Sequence, residues 1–294
     1  MARVGWIGLG AMGGPMSAVV ARAGHAVKAF DTNPAAVAEA ARDGIVAATD
    51  ATDAAREVDV LALMVATPDQ AESVLFGDYG AASGLRSGAV VLVMATVGPG
   101  PVLAWAERLA PLGVALVDAP VSGGVARAAD GDLLMMVSGS TDALATAQPL
   151  LDSMARMAPV VGPVPGDGQR VKLVNQLLCG VHIAVAAEAL AFAEALGLDA
   201  GSTWEVLRHG AAASFMLGDR GARMVDDASD EVRSALDIFV KDMGLVLGAA
   251  RDHAYPAPLA SAAEQLYLAG RRAGLGRLDD SSLIDILRGR AVVA

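Results

Sequence analysis

The sequence predicts an α/β fold, an N-terminal doubly wound parallel sheet followed by a C-terminal all-α domain. Three observations predict it. Short apolar runs alternate with helical patterns over the first half of the chain, and a glycine-rich turn joins the first run to the first helical pattern. Strand-like runs then stop at a cluster of turn residues, Gly162-Pro163-Val164-Pro165-Gly166-Asp167-Gly168. Strand–helix alternation implies a parallel sheet with helices on both faces. The turn cluster marks a boundary, giving domains at residues 1–164 and 165–294.

The apolar runs lie at 4–7, 26–30, 58–65, 89–95, 114–117 and 133–138, with helical patterns between most of them, among them 11–22, 34–42 and 99–109. Pro34 and Pro99 stand where the first turn of a helix accepts a proline. Beyond the boundary one long apolar helical pattern covers about 169–196 and ends at Gly197, a C-cap residue. Further helical patterns cover 203–208, 235–252 and 259–273.

Composition narrows the class. The chain has 294 residues, 54% of them hydrophobic and only 4% aromatic, and a mean hydropathy of +0.47. The most apolar stretch, 173–192, is interrupted by Asn175, Gln176, His182 and Glu188, so it reads as a buried helix and not as a membrane span. A net charge of −11 argues against nucleic-acid binding and against an anionic-membrane anchor. Cys179 is the one cysteine, which excludes an intrachain disulfide and a cysteine-rich metal site. His25, His209 and His253 show no ligand spacing, so no metal is expected. No secretory leader pattern opens the chain, and a cytoplasmic protein is expected.

The glycine turn is Gly8-Leu9-Gly10-Ala11-Met12-Gly13, directly after the first strand. One glycine serves the tight turn, one the approach of a pyrophosphate, and one close helix–strand packing, as in a Rossmann-type domain. The helix start offers its N–H groups to the phosphates. Asp31 ends the second strand 21 residues after Gly10, about where a carboxylate accepts the ribose hydroxyls. A carboxylate there repels a 2′-phosphate, and no arginine stands close, so NAD is expected over NADP. The plainer alternative is that the glycines only pack helix on strand and that Asp31 caps a turn.

At these residues the chain resembles the β-hydroxyacid dehydrogenase family, which includes 3-hydroxyisobutyrate dehydrogenase and tartronate semialdehyde reductase. The resemblance covers essentially the whole chain. It rests on the glycine turn with Gly14-Pro15-Met16, on Asp118-Ala119-Pro120-Val121-Ser122-Gly123-Gly124, on Gly168-Gln169-Arg170-Val171-Lys172-Leu173-Val174-Asn175, and on Phe239-Val240-Lys241-Asp242. Residues 174–190 and 237–242 are most similar to the L-threonate dehydrogenase branch. The resemblance implies a catalytic Lys172 with Asn175, and substrate binding at Ser122, Gly123, Gly124 and Lys241. It implies cofactor contacts from Thr96, from the Val65–Ala66 backbone and from Lys241, and a homodimer or homotetramer. The chain departs from the family's frequent residues at Val65-Ala66, at Ala95 and at Phe215.

The residues also read on their own terms. Ser122-Gly123-Gly124 offers a hydroxyl and two unhindered N–H groups, suited to a carboxylate or carbonyl oxygen; an ordinary turn is the alternative. Lys172 lies in an apolar helix, where desolvation favours the neutral amine and so proton transfer; a snorkelling surface lysine is the alternative. Asn175 and Gln176 share its face, and Arg170 reads as a solvated neighbour. Lys241 is read as closing the cleft, with an ion pair to Asp242 or Asp237 as its alternative. His182 stands ten residues beyond Lys172 and is a candidate for sugar-acid hydroxyls or a satisfied core histidine. Phe239 reads as cleft or core, and Ser214-Phe215 as a turn between helices.

The expected activity is NAD-dependent hydride transfer from a small hydroxycarboxylic acid, with Lys172 moving the proton. L-threonate is the first substrate expectation, with 3-hydroxyisobutyrate and tartronate or succinic semialdehyde as alternatives. Imine reductases resemble this fold but usually lack a lysine at position 172, and a 6-phosphogluconate-type substrate calls for more basic residues than the chain offers. A dinucleotide-binding sensor without turnover is the rival from another class.

Overall fold

The computed structural model describes residues 1–226 and 231–290. The chain divides into two compact units, Met1–Lys172 and Leu173–Ala294. This division falls inside a helix, eight residues after the boundary expected at 164/165.

The first unit runs β1 (Arg3–Ile7), α1 (Gly13–Arg22), β2 (Ala26–Phe30), α2 (Pro34–Ala40), β3 (Val46–Ala47), α3 (Ala51–Ala55), β4 (Val60–Leu63), α4 (Pro68–Phe76), β5 (Val90–Val93), α5 (Pro99–Leu109) and β6 (Ala115–Asp118). It continues with β7 (Val121–Ser122), α6 (Gly124–Asp130), β8 (Leu133–Met135), β9 (Val137–Ser138), α7 (Thr141–Met154), β10 (Ala155–Met157), β11 (Val160–Gly162) and the start of α8 (Asp167–Ala195). The helices start on local signals. Asn33 caps α2 ahead of Pro34, Asp50 caps α3, and Ser140 caps α7, each side chain accepting an otherwise unpaired backbone N–H.

The main sheet has eight strands in the order β11-β9-β6-β5-β4-β1-β2-β3. Six of them, β3-β2-β1-β4-β5-β6, are parallel, the doubly wound order whose direction of winding reverses between β1 and β4. Alternate residues of the central strands enter different cores. Val60 and Ala62 join Trp6, Met16 and Leu92, while Leu61 and Leu63 join Val91, Val93 and Trp105. Burial on both faces explains why these strands read as unbroken apolar runs.

The edge of the sheet departs from expectation. The run 133–138 is two strands in two sheets: β9 pairs antiparallel with β6, whereas β8 joins a separate three-stranded sheet, β10-β8-β7. Pro120 has no N–H with which to extend the β6 ladder, and its carbonyl instead accepts from Met136 N at 3.0 Å, where the run turns between the sheets. The short strands β3, β7, β10 and β11 carry too few residues to show a period in the sequence.

The second unit holds the rest of α8 with α9 (Ala200–Leu207), α10 (Phe215–Met224), α11 (Leu236–Asp252), α12 (Pro258–Arg272) and α13 (Leu283–Leu287). By length and composition α8 could cross a membrane, yet Ile183, Ala187 and Leu190 are fully buried and belong to this unit's core with Met243, Val246 and Tyr267. The Tyr267 hydroxyl donates to Gly180 O at 2.8 Å. The expected turn at Ser214-Phe215 is the start of α10, with Ser214 Oγ capping Leu217 N at 3.0 Å.

Candidate functional site

The first part of the site is the turn after β1. Gly8 has φ +94°, and a Cβ there would meet Met64 O at 2.3 Å. A Cβ on Gly13 would meet Gly8 O at 2.0 Å. Those two glycines are required by packing. Around Gly10 no described residue lies within 4 Å of a Cβ position, which leaves its backbone open to the approach of a ligand. Trp6 Nε1 donates to Gly8 O at 2.9 Å, and Gly8 N donates to Phe30 O at 3.0 Å, which fixes the turn from below.

Gly10 and Ala11 are exposed, Met12 and Asp31 half-buried, and Leu9 buried. Leu9 N donates to Asp31 Oδ2 at 2.6 Å and Asn33 N donates to Oδ1 at 2.7 Å. Asp31 therefore braces the turn, and each oxygen keeps a lone pair for a further donor. No side chain caps α1 at Met12, and Pro15 contributes no N–H. An uncapped helix start, an open glycine and a carboxylate at the next strand end fit the pyrophosphate and ribose of a dinucleotide.

After β4, Thr67 and Gln70 form a capping box: Gln70 N donates to Thr67 Oγ1 at 3.2 Å, and Gln70 Oε1 accepts from Ala66 N at 2.9 Å and from Thr67 N at 3.2 Å. The Ala66 N–H is thereby engaged within the chain. Any contact to a ligand from Ala66 therefore falls to its carbonyl and side chain.

After β5, the loop holding Thr96 is pinned on both sides by one buried side chain. Gln169 Oε1 accepts from Val97 N at 2.9 Å and from Gly98 N at 3.0 Å, and Gln169 Nε2 donates to Ala95 O at 3.0 Å. The same Nε2 donates to Asp118 Oδ1 at 2.8 Å. Asp118 Oδ2 accepts from Gln169 N at 2.8 Å and from Gly166 N at 3.2 Å. Both side chains are fully buried. Burial pushes the Asp118 carboxyl up to about 6, against the opposing hydrogen bonds from Gln169, Gly166 and Ser138.

Ser122 ends β7, in the small sheet and not at the edge of the main one. Gly123 and Gly124 have φ +146° and +79°, a backbone that side-chain-bearing residues rarely adopt. A Cβ on Gly124 would meet nothing within 4 Å. Lys172 is 6% exposed, which removes the snorkelling alternative. Arg170 is exposed and ion-paired with Asp167, the solvated neighbour expected.

In the second unit, Asn175 Nδ2 donates to Gln176 Oε1 at 2.8 Å. Gln176 Nε2 donates to Asp242 Oδ2, and Asp242 Oδ1 lies 3.0 Å from Lys241 Nζ. Asp242 is 2% exposed, so the Lys241 pair is anchored on a buried carboxylate and is not a surface contact. His182 is half-buried. It lies about 15 Å along α8 from Lys172 and about 80° round from it, so the two share less of a face than their spacing suggested. Phe239 is a core residue, stacked on Tyr267 at 5.5 Å between ring centroids.

The sequence reading passed over Gln169 and the roles of Asp118, Gln176 and Asp242. Two signals were present: a carboxylate closing an otherwise apolar strand run, and a polar residue one turn before a buried lysine.

Residues 3–162 match the family model described as the NAD binding domain of 6-phosphogluconate dehydrogenase. Residues 166–287 match the model described as NAD-binding of NADP-dependent 3-hydroxyisobutyrate dehydrogenase. An L-threonate dehydrogenase of Cupriavidus necator is 41% identical over 97% of this chain and 96% of its own. A 3-hydroxyisobutyrate dehydrogenase of Salmonella typhimurium superposes with TM-score 0.91 at 39% identity, covering 97% of this chain and 99% of that one. The Mycobacterium tuberculosis 3-hydroxyisobutyrate dehydrogenase solved with L-serine gives 0.85 at 30% identity, over 98% and 99%. Family models along both units and relatives along nearly the whole chain agree with the dinucleotide turn: the chain belongs to the β-hydroxyacid dehydrogenase family, of the 3-hydroxyisobutyrate dehydrogenase type, and is an oxidoreductase acting on CH–OH with NAD.

Proposed function

We infer that the protein oxidises a small sugar acid, L-threonate first among them, with NAD preferred to NADP. The observation that carries the substrate is the 41% identity to an L-threonate dehydrogenase over 97% of the chain. The preference for NAD rests on Asp31, whose carboxylate occupies the end of β2 where a 2′-phosphate would have to lie. The name of the Salmonella relative keeps 3-hydroxyisobutyrate as the second reading.

The turn 8–13 and Asp31 would hold the dinucleotide, with Thr96, Val65-Ala66 and Lys241 beside it. When bound, NAD supplies the hydride acceptor for the substrate carbon. Ser122 and the N–H groups of Gly123 and Gly124 receive the substrate carboxylate, which two donors and a hydroxyl suit. The Lys172 amine takes the hydroxyl proton during oxidation, and its ammonium returns a proton to the developing alkoxide in the reverse direction. Asn175 orients the substrate hydroxyl beside it. Lys241, anchored on Asp242, adds positive charge for the acid, and His182 contacts its outer hydroxyls.

A homo-oligomer, dimer or tetramer, is part of the same reading. Val174, Leu178, Val185 and Phe192 are 50–63% exposed and lie within about 40° of one another around α8. Such a stripe suits a second copy of the chain. The buried opposite side of α8 supports a core helix over a membrane span, and a cytoplasmic location belongs to the same reading.

The test is the initial rate of NADH formation with L-threonate, D-threonate, D-glycerate, 3-hydroxyisobutyrate, 4-hydroxybutyrate and 6-phosphogluconate. L-threonate is expected to lead, with kcat/KM of about 10⁴ M⁻¹s⁻¹ or more. A lead for 3-hydroxyisobutyrate overturns the substrate and keeps the class. Dinucleotide binding without turnover of any acid favours the sensor.

A further inference from the structure

Gln169 and Asp118 bury a neutral amide and a carboxyl group together in a unit whose interior is mostly apolar. Burying such groups costs more than burying an apolar pair of the same size, unless every donor and acceptor is met. Here they are met. The amide uses both of its donors and both lone pairs, on Ala95 O, Asp118 Oδ1, Val97 N and Gly98 N. Its orientation is fixed by its neighbours, because Val97 N and Gly98 N only donate while Ala95 O and a carboxylate only accept. Turning the amide over would mismatch all four contacts at once.

The partners are far apart in sequence and converge on the carboxyl ends of β5 and β6. Ala95, Val97 and Gly98 bracket Thr96. Gly166, Gly168 and Gln169 form the approach and first turn of α8, and Lys172 follows Gln169 by three residues. Gly168 fits too closely for any larger residue, since a Cβ there would meet Met136 O at 2.4 Å and Asp118 Oδ2 at 2.8 Å. An apolar pair at 118 and 169 could fill the same space. It could not fix the register of the 95–98 backbone against α8.

We propose that Asp118 and Gln169 are positioning residues for the reaction, a buried polar pair that holds the Thr96 loop and the Lys172 turn in one frame. The inference rests on the reading of Thr96 and Lys172 given above. It adds that the rate depends on the polarity of two side chains that touch neither substrate nor cofactor.

The test uses Asp118→Asn, Gln169→Glu, the double variant, and Lys172→Ala as a control on that reading. Each is assayed with NAD⁺ and the panel acid that wild type turns over fastest, together with NADH binding and thermal unfolding. Each hub substitution alone places like against like at the 118–169 contact. Together they restore a donor facing an acceptor there, keep the acceptors of Val97 N and Gly98 N, and leave only Ala95 O without its donor. Each single variant is expected to lose about 10- to 100-fold in kcat, the scale of a small misplacement of reacting groups, with the KM of the acid within about threefold. The double variant is expected to regain about tenfold in kcat over the weaker single. Single variants within twofold of wild type overturn the inference, as does a double variant no better than the weaker single. If one single variant does not fold, the double is compared with the other. Lys172→Ala separates the two failures: an active Lys172→Ala sinks the reading of the site, whereas an inactive one beside unimpaired hub variants sinks the hub alone.

Discussion

The turn after β1 and the Asp118–Gln169 hub both sit at the carboxyl end of the parallel strands, and they solve opposite problems. The turn works through backbone: Gly8 and Gly13 vanish so that chain can pack on chain, and Gly10 stays open. The hub works through side chains, with a carboxylate and an amide withdrawn from water and matched bond for bond. One region shapes itself for a ligand that arrives from outside. The other is complete without any ligand and governs what stands next to it. Damage to the first is therefore expected in cofactor affinity or folding, and damage to the second in turnover.

Gly13→Ala sharpens this contrast most strongly. Its methyl group would overlap Gly8 O at 2.0 Å, so the turn must open, and unfolding by denaturant is expected to show a loss of about 1–3 kcal/mol together with loss of dinucleotide binding. Unchanged stability would mean that the helix–strand contact is looser than described.

The hub carries a pH signature of similar size. The Asp118 carboxyl titrates at about 6 when folded, above its ordinary value of 3.8. The folded state thus holds its proton more tightly, and this group's contribution to stability is complete below about pH 4 and is lost as pH rises to about 6. The difference amounts to at most about 3 kcal/mol. Urea unfolding of wild type and Asp118→Asn between pH 4 and 7 reads it as a component that only wild type shows. Parallel curves would refute the assignment.

Gly10→Ala is the mild counterpart of Gly13→Ala. No described residue lies within 4 Å of the added methyl, so the melting temperature should hold, as at an exposed site. Dinucleotide affinity should still fall by about 10-fold or more, worth about 1.4 kcal/mol. Equal affinity would place the pyrophosphate elsewhere. Asp31→Asn is expected to have the smallest effect, a rise of about tenfold in the NADP-to-NAD ratio of kcat/KM, or about 1.4 kcal/mol. A ratio that does not move would free Asp31 from the cofactor role and leave it as the brace of Leu9 N and Asn33 N.

The same contrast explains what the sequence made legible. The turn is local: Gly8, Gly10, Gly13 and Asp31 lie within one strand–helix–strand unit, and spacing alone announces them. Strands β1, β2, β4, β5 and β6 follow from the alternation of apolar runs with helices, and the helix ends at Pro34, Pro99 and Gly197 follow from residues that cap or break. The hub joins residues 48 to 74 positions apart, and no local period reports such a meeting. The edge of the sheet hid for a related reason, since strands of two or three residues have no period, and Met136, where β8 turns into β9, is held by Pro120 sixteen residues upstream. Phe239 and Lys241 stand two residues apart in one motif, yet burial separates them, one to an aromatic stack and one to an ion pair.

Lys172 is the residue on which the proposed chemistry most directly depends. The decisive measurement is kcat for wild type and Lys172→Ala with NAD⁺ and the best panel acid, taken beside the NADH dissociation constant of each. The account predicts a fall of about 10²- to 10⁴-fold in kcat, with the dissociation constant essentially unchanged. A variant that keeps wild-type kcat, or that loses turnover only because it no longer binds NADH, would contradict it.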